Sequence, residues 1–156
     1  MVRAGRARLA GAAGRQWIPQ RCAAAGPGPE PVYDDSPALW QLDFSPVGFN
    51  WIDASDADGN VLAFLRFAEP DETGPGAKTV ACVVNFSGGP HLDYRVGLPA
   101  AGRWREVINT DAADYGGSGV GNLGGVEAVN EPWHGQPASV SLSLPPLGVL
   151  WLARDR

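Results

Sequence analysis

"ASVSLSLPPLGVLWLA", residues 138–153, alternates: Val140, Leu142 and Leu144 fall on one face, and Ser139, Ser141 and Ser143 on the other. A period of two is the pleat of a β-strand, so the first half reads as a half-buried strand with its serines turned to water. Pro145-Pro146 ends it, because proline has no N–H to give to a ladder, and a second apolar strand follows.

Upstream the same signals recur. "VLAFLRF" (61–67), "KTVACVVNF" (78–86), "LDYRVGL" (92–98) and "RWREVIN" (103–109) are strand-length runs bounded by Gly, Pro, Asp and Asn. Asp58-Gly59 between apolar runs reads as a hairpin turn. Nothing has the period of a long amphipathic helix. Six or seven short strands with such punctuation predict an all-β fold, an antiparallel β-sandwich. Ahead of them, Ser36-Pro37 offers an N-cap and a first-turn proline, so a short helical turn is expected near "PALW".

"DYGGSGVGNLGG" (114–125) contains a G-x-G-x-x-G, but no strand feeds it and Pro132 soon blocks a helix after it. A pyrophosphate cradle needs both. The glycines are expected instead to take positive φ and to pack tightly at a sheet edge. "DASDADGN" (53–60) fails as a calcium loop, since Ala54 and Leu65 stand where two essential ligands belong. Ser118 misses the nucleophile elbow because Val120 replaces its last glycine. His91 and His134 border turns without zinc-ligand spacing. The pairs Asp34-Asp35 and Asp71-Glu72 fall in polar connections, where the burial that raises a carboxyl pKa is scarce. No catalytic residue, metal or cofactor is expected.

Composition narrows the partners. The 156 residues are 44% hydrophobic, enough for one ordinary domain with a core. The net charge is -5, yet residues 1–31 hold five arginines against one acid, Glu30. The remaining body is therefore strongly acidic, which argues against nucleic acid. No apolar run suits a membrane span, and no apolar stretch follows the basic opening as in a signal peptide. Cys82 lies in an apolar run far from Cys22, as in a reduced, cytoplasmic protein.

Residues 1–31 are mostly Ala, Gly, Arg and Pro and keep no apolar period. They are expected to be a disordered extension, or a spurious one of the kind that GC-rich DNA gives out of frame. A targeting peptide or a polyanion-binding arm fits less well, for want of serine and of clustered charge. Among the tryptophans, Trp104 and Trp151 lie within strands and are expected in the core. Trp51 and Trp133, next to loops, are the candidates for a surface role, in which a flat ring stacks on a sugar.

Three stretches carry a resemblance: "PALWQLDFSPVGFNWIDASDADGNVLAFLRF", "YRVGLPAAGRWREVINTDAADYGGSGVGN" and "SLSLPPLGVLWL". From about Val32 to Arg156 the chain resembles the carboxy-terminal end of bacterial glycogen (1,4-α-glucan) branching enzymes of the α-amylase superfamily. "NTDAADYGGSGVGN" (109–122) is the most specific portion, while "NFSGGPHLDY" departs from the family's turn after Phe86. The resemblance implies that residues 32–47 are the remnant of a barrel's last helix and its linker, and that residues 48–156 are the terminal β-domain. It implies glycogen biosynthesis by transfer of α-1,4-glucan segments to 6-hydroxyls. The retaining pair, an Asp nucleophile and a Glu acid/base about 5 Å apart, belongs to the barrel, and no residue here matches it. A fragment inactive alone is the expectation, with the missing catalytic barrel as its packing partner. The alternatives are a free-standing α-glucan-binding module, with Trp51, Tyr115 and Trp133 as candidate contacts for glycogen, or a non-catalytic subunit of a barrel encoded elsewhere.

Overall fold

Strands β2 (Val61–Phe67), β3 (Thr79–Asn85) and β8 (Gly148–Arg154) alternate between two apolar sides. Val61, Ala63, Leu65, Ala81, Val83, Leu150 and Leu152 point to one side; Phe64, Val80, Cys82 and Trp151 point to the other. A sheet apolar on both faces has to be covered on both. In the computed structural model of the protein, which describes residues 29–70 and 78–154, both covers are present to different degrees. Residues 1–28 and the Asp71-Glu72 pair lie outside the described residues.

The larger sheet has six antiparallel strands in the order β1-β2-β3-β8-β5-β6, with β1 at Phe49–Asp56, β5 at Gly102–Asn109 and β6 at Gly125–Ala128. The smaller pairs β4 (His91–Leu98) with β7 (Ala138–Leu144). Val96, Leu98, Val140, Leu142 and Leu144 of this pair pack on the inner side of the large sheet and close the main core. Trp104 is fully buried there, and its indole N–H donates to the Ala100 carbonyl at 3.0 Å. The all-β antiparallel sandwich read from the sequence is the fold observed. No helix among the described residues is long and apolar enough to cross a membrane.

The outer side is covered by the chain that precedes β1. Helix α1 (Pro29–Asp35) leads into a 3₁₀ turn at Pro37–Leu39, whose Ala38 and Leu39 bury against Val80 and Cys82. Pro37 occupies the first position of this turn as expected, but the Ser36 side chain makes no capping bond. Arg66 of β2 reaches across to Asp43 and fastens the segment further on. A second 3₁₀ turn, Pro46–Gly48, delivers the chain to β1. Trp40, Phe44, Val47 and Trp51 stay exposed around this cover.

Three readings need correction. Trp151 is only half-buried, because it faces the thinly covered outer side. Trp51 is not beside a loop but inside β1, opposite Phe64. Ser139 is fully buried instead of solvent-facing, because the 129–137 segment folds over it. Trp104→Ala is expected to cost about 3–5 kcal/mol through transfer and cavity terms. The urea midpoint measures this, and a loss under about 1 kcal/mol would mean that the main core does not close around this indole.

Candidate functional site

The glycine-rich segment is an ordered knot built on carboxylates. Asp111 follows β5, and its side chain accepts from the Ser118 hydroxyl (2.6 Å), the Ser118 N–H (2.8 Å) and the Val120 N–H (3.0 Å). The backbone carbonyl of Asp111 takes the Gly119 N–H at 2.8 Å. Glu106 accepts from both the N–H and the side-chain amide of Asn122, and Asn122 in turn accepts the Ser143 N–H. Glycine is required here by contact: a Cβ on Gly117 would sit 2.1 Å from the Asp111 carbonyl oxygen. Gly116, Gly119 and Gly124 have positive φ. The amides of Ser118, Gly119 and Val120 are thus spent on Asp111, and that of Asn122 on Glu106. Ser118 donates to that carboxylate and has no base beside it in these bonds.

A second assembly lies where the edge of the large sheet meets β4. The segment 129–138 returns on itself through His134-Gly135, both at positive φ, with Trp133 and Gln136 exchanging backbone bonds of 3.1 and 2.8 Å. Such a two-residue turn suits the twist of a hairpin. It lies flat on β4 because Gly97 lacks a side chain: a Cβ there would be 2.1 Å from the Trp133 carbonyl oxygen. Arg95 of β4 clamps the arm from the side. Its guanidinium donates to Ser139 Oγ (2.9 Å) and Glu131 (2.5 Å) and stands 4.8 Å from the centre of the Trp133 ring.

Beside this arm is an open cleft of about 470 Å³, bounded by Trp133, His134, Tyr94, Asp53 and Asp56. Asp56 accepts the Tyr94 hydroxyl at 2.7 Å and the Gly59 N–H at 2.8 Å, closing the β1–β2 turn where the hairpin was expected. These bonds, the Tyr94 bond foremost, hold the Asp56 carboxyl below its ordinary range, while burial and the same bond push the Tyr94 phenol up. Asp53 accepts from the N–H and hydroxyl of Ser55, both at 2.9 Å, and lies 3.6 Å from His134 Nε2. Among the described residues no group of three His, Cys, Asp or Glu is placed to hold a metal ion. A larger cleft, about 670 Å³, runs under α1 between the ends of β3, β5 and β8, and no aromatic side chain lines it.

The three aromatic candidates are placed separately. Trp133 is 42% exposed and walls the cleft. Trp51 is 49% exposed on the outer side, edge-on to Phe49 and Phe64 with ring centres 4.9 and 5.9 Å away. Tyr115 is 36% exposed in the 3₁₀ turn Ala113–Tyr115 of the glycine knot. Asp53, Asp56 and Tyr94 were missed by the sequence reading. The signal available was His134-Gly135, a turn dipeptide that folds Trp133 back toward β4.

Fold and site together define a carboxy-terminal all-β domain of the α-amylase type. Residues 51–155 match the family described as alpha amylase, C-terminal all-beta domain, and the chain belongs to it. Within that class it is 57% identical over 121 residues to the 1,4-alpha-glucan branching enzyme GlgB of Mycobacterium tuberculosis and to that of Mycobacterium ulcerans. To the GlgB of Rhodococcus jostii it is 54% identical over 125 residues. These matches cover 78–80% of this chain but only 16% of each relative. The chain is homologous to the carboxy-terminal part of those branching enzymes.

The knot carries a pH signature. Hydrogen bonds from Ser118, hydroxyl first, hold the Asp111 carboxyl below its ordinary range, as the Tyr94 bond does for Asp56. A depressed carboxyl stabilises the fold above its unfolded pKa of about 3.9, and that contribution is lost as pH falls through the lowered value. Asp111→Asn is therefore expected to flatten the acid limb of stability against pH, measured by urea midpoints between about pH 6 and pH 3. An unchanged slope would remove Asp111 as the titrating anchor.

Proposed function

We propose that this chain serves as the carboxy-terminal β-domain of a 1,4-α-glucan branching enzyme, in cytoplasmic glycogen synthesis. It acts there as the packing partner of a catalytic barrel and not as a catalyst. The observation that carries the reading is the 57% identity over 121 residues to the GlgB relatives. The exposed apolar side chains of the outer face, Trp40, Phe44, Val47 and Trp51, support a protein partner, since a monomer gains nothing by leaving such a surface in water. The electrostatics also support a non-catalytic part. Glycosyl transfer needs one carboxyl raised into an acid's range, whereas Asp56, in the cleft walled by Trp133, is pushed down.

A second reading, a free-standing α-glucan-binding module, is favoured by the exposed Trp133 beside hydrogen-bonding carboxylates. Here glycogen is the ligand, and Trp51, Tyr115 and Trp133 are the candidates among which its contacts are to be sought. A non-catalytic subunit that completes a separate barrel is a variant of the first reading.

The test mixes the full 156-residue chain with a mycobacterial branching enzyme truncated ahead of its own β-domain. Iodine staining of amylose is expected to fall only in the mixture, with neither piece active alone. Recovery is expected to weaken in Trp40→Asp and Trp51→Asp, which place charge on the face meant for burial. A mixture no more active than the truncated enzyme would sink the packing reading.

A further inference from the structure

We propose that the cleft beside Trp133 is a binding site for an uncharged α-glucan segment, and that the Trp51 face is not. The inference rests on the glucan-binding reading above and deepens it, assigning that role to one of the three aromatic candidates.

The chemistry of the walls selects the ligand. Sugar recognition needs an apolar plane for the C–H face of a pyranose ring, and fixed acceptors for its hydroxyls. Trp133 supplies the plane. Arg95 stands over its ring, and the Arg95 charge is spent on Glu131 and Ser139, so one side of the indole is filled. The residue nevertheless stays 42% exposed. Asp53 and Asp56 supply the acceptors. Both Ser55 donors fall on Asp53 Oδ1, which leaves Oδ2, facing His134, while each oxygen of Asp56 holds one donor, Gly59 on Oδ1 and Tyr94 on Oδ2. A carboxylate oxygen accepts twice, so what remains is capacity for further O–H donors on oriented groups.

Charged ligands suit the cleft less well. Asp53 faces His134 at 3.6 Å and Asp56 faces the Tyr94 phenol, so the carboxylates are engaged inside the fold and do not converge on a shared cation position. An anion would meet Asp53, Asp56 and Asp93 with the one lining guanidinium already paired. A neutral polyhydroxyl chain is the ligand for which neither charge sign has to be buried unpaired.

Rigidity favours the cleft as well. Trp133 sits on a two-residue turn fixed by its own bonds, by the contact at Gly97 and by the Arg95 clamp. His134 and Asp93, two lining residues, hold positive φ, a conformation non-glycine residues adopt at a cost that the surroundings must offset. The Trp51 ring, in contrast, packs edge-on against two other rings, Phe49 and Phe64. Neither of those side chains carries an acceptor for hydroxyls.

The experiment titrates the full chain with maltoheptaose, with cellohexaose as the control, following the indole N–H resonances by NMR and the heat by calorimetry. Maltoheptaose is expected to saturate and to shift the Trp133 indole signal. Affinity is expected to fall at least about tenfold in Trp133→Leu and in Asp53→Asn, and to stay within about twofold in Trp51→Ala, all with melting temperatures near the parent's. Binding that survives Trp133→Leu but is lost in Trp51→Ala would overturn the cleft assignment and leave glucan binding standing. No saturation by about 10 mM maltoheptaose would overturn both. Because the mixing experiment decides the packing reading by restored branching, neither outcome here is confused with its failure.

Discussion

Strand β3 is apolar on both sides, and the rest of the domain is arranged to keep water from it. Six of its seven residues are buried, Ala81 and Val83 inward, Val80 and Cys82 outward. A strand of that kind cannot stand at an edge, so it takes a central place between β2 and β8. Its inner side calls for a second layer, which β4 and β7 provide with five aliphatic side chains. Its outer side calls for another, and there the described chain supplies only Ala38 and Leu39 on a single 3₁₀ turn.

The two sides consequently have different chemistry. The inner junction is sealed by polar groups with assigned partners: Asn85 donates to Gly89 and Pro145 carbonyls, tying the β3–β4 and β7–β8 links together. Asn122 joins the glycine knot to Ser143 of β7 in the same manner. On the outer side apolar contact covers Cys82 and Val80, Arg66 and Glu69 tie the covering segment down through Asp43, Leu39 and Gln41, and exposed rings remain at Trp40 and Trp51. The Trp51 ring thus stands among apolar neighbours, whereas Trp133 is framed by carboxylates.

Local pattern carried most of this into the sequence. Four of the eight strands follow, to within a residue, from strand-length runs bounded by Gly, Pro, Asp and Asn, and the last pair from the alternation that Pro145-Pro146 ends. What escaped did so for physical reasons. Strand β1 carries register shifts between Trp51 and Asp56, so its alternation is broken, and β6 is only four residues long and begins in glycine. Ser139 defied its pattern because an arm thirty-odd residues from Arg95 is clamped over it, a contact that period cannot express. The cleft combines β1, β4 and that arm, so Trp133 was legible as an aromatic beside a turn, while Asp53, Asp56 and Tyr94 became partners only through the fold. The glycine loop was legible by elimination, but its anchor, Asp111, was not, because nothing in a lone aspartate tells which amides will converge on it.

Cys82 makes the thin outer cover observable in time. Burial pushes its thiol up to about 12, so at neutral pH the sulfur is both uncharged and hidden under Ala38 and Leu39. Thiol reagents attack the thiolate, and here they have to wait for the segment to lift. In a chain with Cys22 replaced by serine, the rate at which Cys82 takes a label is therefore a stopwatch on that lifting, separate from unfolding of the sandwich. Anything that seats on the outer face slows the stopwatch, whereas a sugar in the Trp133 cleft leaves it running at the same pace.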